Sequence, residues 1–169
     1  MRNYLFILYL CLFACESEKI IVSTTELKDW EFQFENNWYK ATVPGNNVSD
    51  LLNHNIIQDP FYGNNEDSVQ WISQKEWIYK SQFKLSRKQL LKNNHQLTFY
   101  GLDTYTEIFL NNNLILETNN MFKKWNIDVR GILKPENILV IKFNPIEKIE
   151  NNEVNKLGYK LPGGNRVHT

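Results

Sequence analysis

Alternation with a period of two is the feature that most restricts this chain. In WEFQF, residues 30–34, Trp30, Phe32 and Phe34 fall on one side and Glu31 and Gln33 on the other. That pattern marks a strand with one face in a core and one in water. It returns in WIYKSQFKL, residues 77–85, where Trp77, Tyr79, Phe83 and Leu85 oppose Lys80, Gln82 and Lys84. HQLTFYG (95–101), TYTEIFL (104–110) and KKWNIDV (123–129) read as further strands, the last with Trp125, Ile127 and Val129 in phase. ILVIKF (138–143) is apolar without a break and reads as a strand buried on both sides. Turn residues stand between these runs. Pro44-Gly45 is one signal, and KPEN (134–137) is another. The three Asn at 111–113 tolerate positive φ and predict a tight hairpin into LILE (114–117). Helical spacing is convincing only in VSDLLNHNII (48–57), where Val48, Leu51, Leu52 and Ile56 recur and Asn47 is placed as a cap. Many short strands, parted by turns about every ten residues, predict an all-β fold: an antiparallel jelly-roll β-sandwich with one short helix.

Composition sets the scale of that sandwich. The chain has 169 residues, 42% hydrophobic and 14% aromatic, with five Trp. Without a leader, roughly 150 residues remain, enough for one domain with a good core. Lys+Arg and Asp+Glu balance at 19 each. No basic stripe supports a nucleic-acid partner.

The first residues form a separate object. Arg2 supplies a short positive region, and YLFILYLCLF (4–13) is an apolar run of signal-peptide length, too short to span a bilayer. It ends in LFAC (12–15), so residues 1–14 are expected to be a signal peptide of lipoprotein type, with lipidation at Cys15. Ala14 is the small residue such a signal places before its Cys, whereas Phe13 is bulkier than is common there. An ordinary secretory signal with an incidental Cys is the other reading. Lipidation implies export to a bacterial periplasm or outer-membrane surface and a lipid anchor in the membrane. The acidic ESE after Cys15 fits a surface lipoprotein. Cys11 leaves with the leader, so the mature domain is expected to have no disulfide, thiol nucleophile or Cys-based metal site. Residues 15–26 read as a tether, 27–146 as the jelly roll, and 147–169 as a polar, Gly-rich segment that reaches no closing strand.

DPFYGNNEDSVQW (59–71) does not read as a plain connector. It sets Phe61, Tyr62 and Trp71 around Asn64, Asn65, Glu66 and Asp67. Two readings stand. Aromatic faces with nearby amides and carboxylates suit a sugar, which makes Asn65, Glu66 and Trp71 candidates for the rim of a saccharide pocket. Alternatively the loop is a corner packed between domains, with Phe61 and Tyr62 plugging the sandwich edge and Asp59 and Glu66 capping turns. Gly101 in GLDTY allows a sharp bend, and Asp103 is expected to bond the local backbone. His54, His95 and His168 have no ligand spacing and no Cys partners, so no zinc site is expected; a jelly roll can hold a structural Ca²⁺, but no residues here are picked out as its oxygen ligands. No nucleotide or cofactor motif and no catalytic residue are assigned.

Taken in order, WEFQF, VPG, DPFYGNNE, VQW, EWIYKSQF, GLDTY, the apolar hairpin around Asn111 and NNMF resemble the first, galactose-binding-domain-like jelly roll of β-mannosidases in glycoside hydrolase family 2. The likeness runs from Trp30 to Phe143. It implies a multi-domain parent that hydrolyses terminal β-mannosyl residues with retention, through two Glu held on a (β/α)₈ barrel about 5–5.5 Å apart. It also implies that this domain is non-catalytic and packs against the parent's later domains. GGNRVHT (163–169) stops where the family continues into an R-K-x-Q-like segment, so the chain is expected to be truncated. A stand-alone carbohydrate-binding surface lipoprotein is the alternative.

Overall fold

The computed structural model describes residues 22–146, 149 and 156. The leader, Cys15, the first part of the tether and nearly all of 147–169 lie outside the described residues. Eight strands are described: β1 Trp30–Phe34, β2 Asn37–Lys40, β3 Trp77–Lys84, β4 Gln96–Tyr100, β5 Tyr105–Leu110, β6 Asn113–Asn119, β7 Lys124–Asp128 and β8 Glu136–Phe143. They form a six-stranded sheet in the order β2-β1-β3-β8-β5-β6 and a two-stranded ribbon, β4-β7. Every pairing is antiparallel.

Register follows the period-two pattern. Phe32 pairs with Tyr79, Tyr79 with Ile141, and Ile141 with Ile108. Leu139 pairs with Leu110 one step along the same face. These side chains are buried together with Trp30, Trp77 and Leu51. The expected hairpin at 111–113 is present, with Asn111 at φ 52° and Asn112 at φ 67°. The Asn111 side chain then locks the turn. It donates to Ile132 O and Asn137 Oδ1, both at 2.9 Å, and accepts from Ile138 N at 3.0 Å. Asn137 in turn bonds both backbone groups of Lys134, which closes the KPEN turn.

Several expectations need correction. ILVIKF is not buried on both sides. Its burial alternates, and Ile138 is 47% exposed. The strand is central in its sheet, but no second layer covers the outer face among the described residues. The helix, α1, runs Asn47–Asn53 and not to residue 57. Its cap is Asn46, one residue earlier than expected, whose Oδ1 accepts from Ser49 N at 2.8 Å. It stops because Asn55 adopts φ 55°, and Ile56 N→Leu51 O and Asn55 N→Leu52 O, both at 2.9 Å, make the paired bonds of a Schellman end. Leu51 is fully buried, while Leu52 faces out. Two single-turn helices join it, α2 Asn65–Ser68 and α3 Arg87–Leu90, with a 3-10 turn at Gln70–Gln74. The helical content is therefore small but exceeds one helix. Asp103 accepts from the Thr104 hydroxyl and makes no backbone bond. Gly101 bends at φ 78°, and a Cβ there would sit 3.0 Å from Met121 O.

Truncating an inward residue of β8 should cost far more than truncating its outward neighbour. Leu139→Ala is expected to lose about 2–5 kcal/mol, and Ile138→Ala less than about 1 kcal/mol. Urea midpoints at constant slope measure both.

Candidate functional site

Residues 59–76 enter β3 at one end of the sandwich. Trp77 opens β3 and pairs with Phe143 at the end of β8, and Phe34 at the end of β1 lies alongside. The loops 101–104 and 120–123 reach the same end, since Tyr105 opens β5 opposite Asn119 and Tyr100 closes β4 opposite Lys124.

The corner is tied down from within. Asp59 Oδ1 accepts from Phe61 N at 3.0 Å, an Asx turn. Asn65 Nδ2 donates to Asp59 O at 2.9 Å and closes the loop. The Glu66 carboxylate makes no such bond and is exposed; it is the Glu66 backbone O that accepts, from Gln70 Nε2 at 3.0 Å. Trp77 Nε1 donates to Ile72 O at 2.9 Å, which docks the 3-10 turn on the sheet. Trp71 is half-buried against Phe34 (5.8 Å between ring centroids, 43°) and Trp77 (6.1 Å, 38°). Lys75 Nζ sits 4.7 Å from the centre of its ring.

The three candidate rim residues thus lie on one corner with different roles. Asn65 is half-engaged in the loop, Glu66 is free in water, and Trp71 is wedged into the sandwich and capped by a cation. The rings that do face outward are Phe61, 97% exposed, and Tyr62, 78% exposed. They do not plug the sandwich edge.

Beneath the corner lies a polar network that sequence reasoning missed. Asp50 is 1% exposed on α1. Its Oδ2 accepts from Tyr79 OH at 3.0 Å and its Oδ1 from Thr42 N at 2.9 Å. Burial and the neighbouring Asp50 charge push the Tyr79 phenol far above its ordinary value of 10.0. His54 Nε2 meets Lys40 O at 2.7 Å, with its ring against Phe32 and Tyr39. Nothing in VSDLL distinguishes a buried Asp50 from an ordinary acid in a first helical turn. Among the described residues, no three His, Cys, Asp or Glu gather as a metal cluster.

Comparison with known proteins identifies the class. The family described as glycosyl hydrolase 2 galactose-binding domain-like matches residues 30–169. The chain belongs to that family. It is 40% identical to the β-mannosidase of Rattus norvegicus over 103 residues, 61% of this chain and 12% of that protein. It is 31% identical to the β-mannosidase of Bos taurus over 145 residues, 84% of this chain and 16% of that protein. The crystal structure of the β-D-mannosidase from Dictyoglomus thermophilum superposes with a TM-score of 0.79 at 37% identity, over 82% of this chain and 18% of that one. An exo-chitosanase from Amycolatopsis orientalis, 18% identical with a TM-score of 0.57, shares the fold over 64% of this chain and 13% of its own. The chain thus spans between about an eighth and a fifth of the length of these relatives.

Replacing Tyr79 by Phe orphans Asp50 Oδ2 and is expected to cost about 1–3 kcal/mol at pH 7. The folded state holds the Tyr79 proton more tightly than the unfolded state does. Its contribution is therefore complete below the unfolded value of 10.0 and lost progressively as pH rises above it toward the folded value. Urea titrations should show wild type losing more stability than Tyr79→Phe between about pH 9.5 and 11.5.

Proposed function

We propose that this chain is the non-catalytic jelly-roll domain of a retaining β-mannosidase that hydrolyses terminal β-mannosyl residues of oligosaccharides. The observation that carries this reading is the family match over residues 30–169 joined to 37% identity with a β-mannosidase structure over 82% of the chain. The domain's part is to hold a rigid corner against the parent's later domains. Asn65 and Glu66 then stand at the rim of the mannoside pocket, with Trp71 as the wedge that fixes their position. The Asn65 and Trp71 contacts support this, because they make the corner stiff without using the Glu66 carboxylate. The comparisons lend no support to the alternative, a stand-alone carbohydrate-binding lipoprotein.

An aryl β-mannoside assay tests the reading. The chain alone is expected to give no turnover, and the longer polypeptide from the same locus is expected to hydrolyse the substrate. Glu66→Gln in that polypeptide should raise KM for a mannooligosaccharide several-fold with kcat nearly unchanged. Turnover by the chain alone removes the non-catalytic assignment, and an unchanged KM removes Glu66 from the rim.

The leader supports a second proposal, export and a lipid anchor through Cys15 to a bacterial periplasmic or outer-membrane surface. Cys15→Ser should leave the protein in the soluble fraction after cell lysis, and wild type should incorporate labelled palmitate. Equal partitioning of both forms excludes the anchor.

A further inference from the structure

The end of the large sheet away from the corner holds a hollow of about 500 Å³. It lies where the last residues of β3 and the first of β8 meet the hairpin between β5 and β6. β3 runs from Trp77 at the corner to Lys84 at the hollow, roughly 23 Å at the rise of a strand. The hollow is therefore no part of the corner. Its size falls within the range of small-molecule sites, about 300–1,000 Å³.

Its frame is fixed. The Asn111 side chain ties the hairpin to Ile132 O, Asn137 Oδ1 and Ile138 N. Asn137 is 2% exposed, and its amide is spent on Asn111 and on both backbone groups of Lys134. Two turns distant in sequence are thus braced against each other, and the bracing uses up both of these amides.

The lining comes from the pleat. Gln82 pairs with Ile138 and Lys84 with Glu136, so these four side chains stand together on the outward face of the sheet. Ile138, 47% exposed, and Phe83 give the hollow its apolar surface. Amides stand around it. Neither Gln82 nor Asn112, at the hairpin tip, makes a side-chain hydrogen bond among the described residues. The charges nearly cancel. Lys84 Nζ lies 2.7 Å from Glu136 Oε1, which leaves Lys134 as the one unpaired cation of the lining.

That lining selects a class of ligand. A phosphate or a carboxylate is held by several unpaired cations or by a guanidinium fork, and the hollow has neither. A wholly apolar ligand would strip water from the amides and leave them unpaired. A neutral molecule with an apolar face and a rim of hydroxyl groups suits both parts of the surface. A pyranose is such a molecule, with C–H bonds on its faces and hydroxyls at its edge.

We infer that this hollow is a second saccharide site, which holds a mannosyl residue of a mannooligosaccharide or mannan chain away from the reacting end. Ile138 lies under a face of the sugar, and Gln82 and Asn112 bond its hydroxyls. The Lys84–Glu136 pair offers a further donor and acceptor at the rim. A site so far along the strand from the corner binds polymer without touching the bond that is cut. The choice of mannose rests on the reading of the chain as a β-mannosidase domain.

Titration of the chain with mannohexaose, followed by amide chemical shifts, tests it. Saturable shifts are expected at Gln82, Asn112 and Ile138, with a Kd on the order of 1 mM. Gln82→Ala combined with Asn112→Gly is expected to weaken binding about tenfold. Glycine at 112 removes the amide and keeps the φ of 67°. Shifts confined to residues 59–71, or an affinity that the double substitution leaves unchanged, overturn the inference. So does tighter binding of cellohexaose. The longer polypeptide from the same locus gives a reading that does not need the isolated chain to fold. There the double substitution is expected to lower kcat/KM for a mannan polymer several-fold and to leave that for an aryl β-mannoside unchanged. Equal effects on both substrates, or none on either, overturn the inference. Binding at the hollow without hydrolysis by the longer polypeptide sinks the enzyme assignment and keeps the site, and hydrolysis without such binding does the reverse.

Discussion

Four side chains in a row across the large sheet, Phe32, Tyr79, Ile141 and Ile108, fix most of what surrounds them. Each is nearly or fully removed from water, and each such burial contributes on the order of 1.5–3 kcal/mol. The row also sets register. A slip of one residue would bring Glu31, Lys80, Lys142 and Glu107 onto the core face, where unpaired charge is prohibitive. One member is polar at its tip. The Tyr79 hydroxyl needs an acceptor at that depth, and Asp50 supplies it from α1. The position of α1 thus follows from one phenol in the sheet, and Asp50 also holds Thr42 N in the segment between β2 and α1.

Much of this was legible because alternation is written directly in residue order. β1, β3, β4, β5 and β7 appear within a residue or two of the runs that announced them. The misreadings share a cause: local pattern carries no information about what lies on the far side of an element. ILVIKF has the composition of a strand covered on both faces, yet Ile138 and Leu139 differ in exposure because only one face meets another layer. β2, NWYK, is short and mostly exposed, so its alternation is too faint to announce a strand. α2 and α3 are single turns held by local bonds, such as the capping box of Ser86 and Gln89, and too short for periodicity to register. The cap of α1 shifted from Asn47 to Asn46 because two adjacent Asn offer the same side chain and backbone geometry decides between them.

The corner at 59–76 was legible as unusual and illegible in detail. Its composition allowed a saccharide platform or a packed joint, and the distinction depends on which rings are spoken for. Trp71, the largest candidate platform, is engaged by Phe34, Trp77 and Lys75. Phe61 and Tyr62, which a sequence reader would bury, are the rings left outside. Neighbours from β1 and β3 made that choice, and their proximity exists only after the sheet has formed.

The acids of the domain argue for a division of labour. Glycosidic hydrolysis needs two carboxyl groups facing each other across a bound sugar, one of them free to gain and lose a proton. Asp50 is the one acid buried among the described residues, and both its oxygens are occupied by groups of the fold. Asp59 spends an oxygen on Phe61 N, while Glu66 and Asp67 stand exposed to water. The chain invests its polar groups in shape. Asp59 and Asn65 hold a loop, the Trp77 indole holds the 3-10 turn, and the outcome is two exposed aromatic rings on a braced corner. Rings so presented lose little conformational entropy when covered, which suits a joint between domains better than a reacting centre. Under the proposed reading, the carboxyl pair belongs elsewhere in the parent, and this domain supplies the rigid wall beside it.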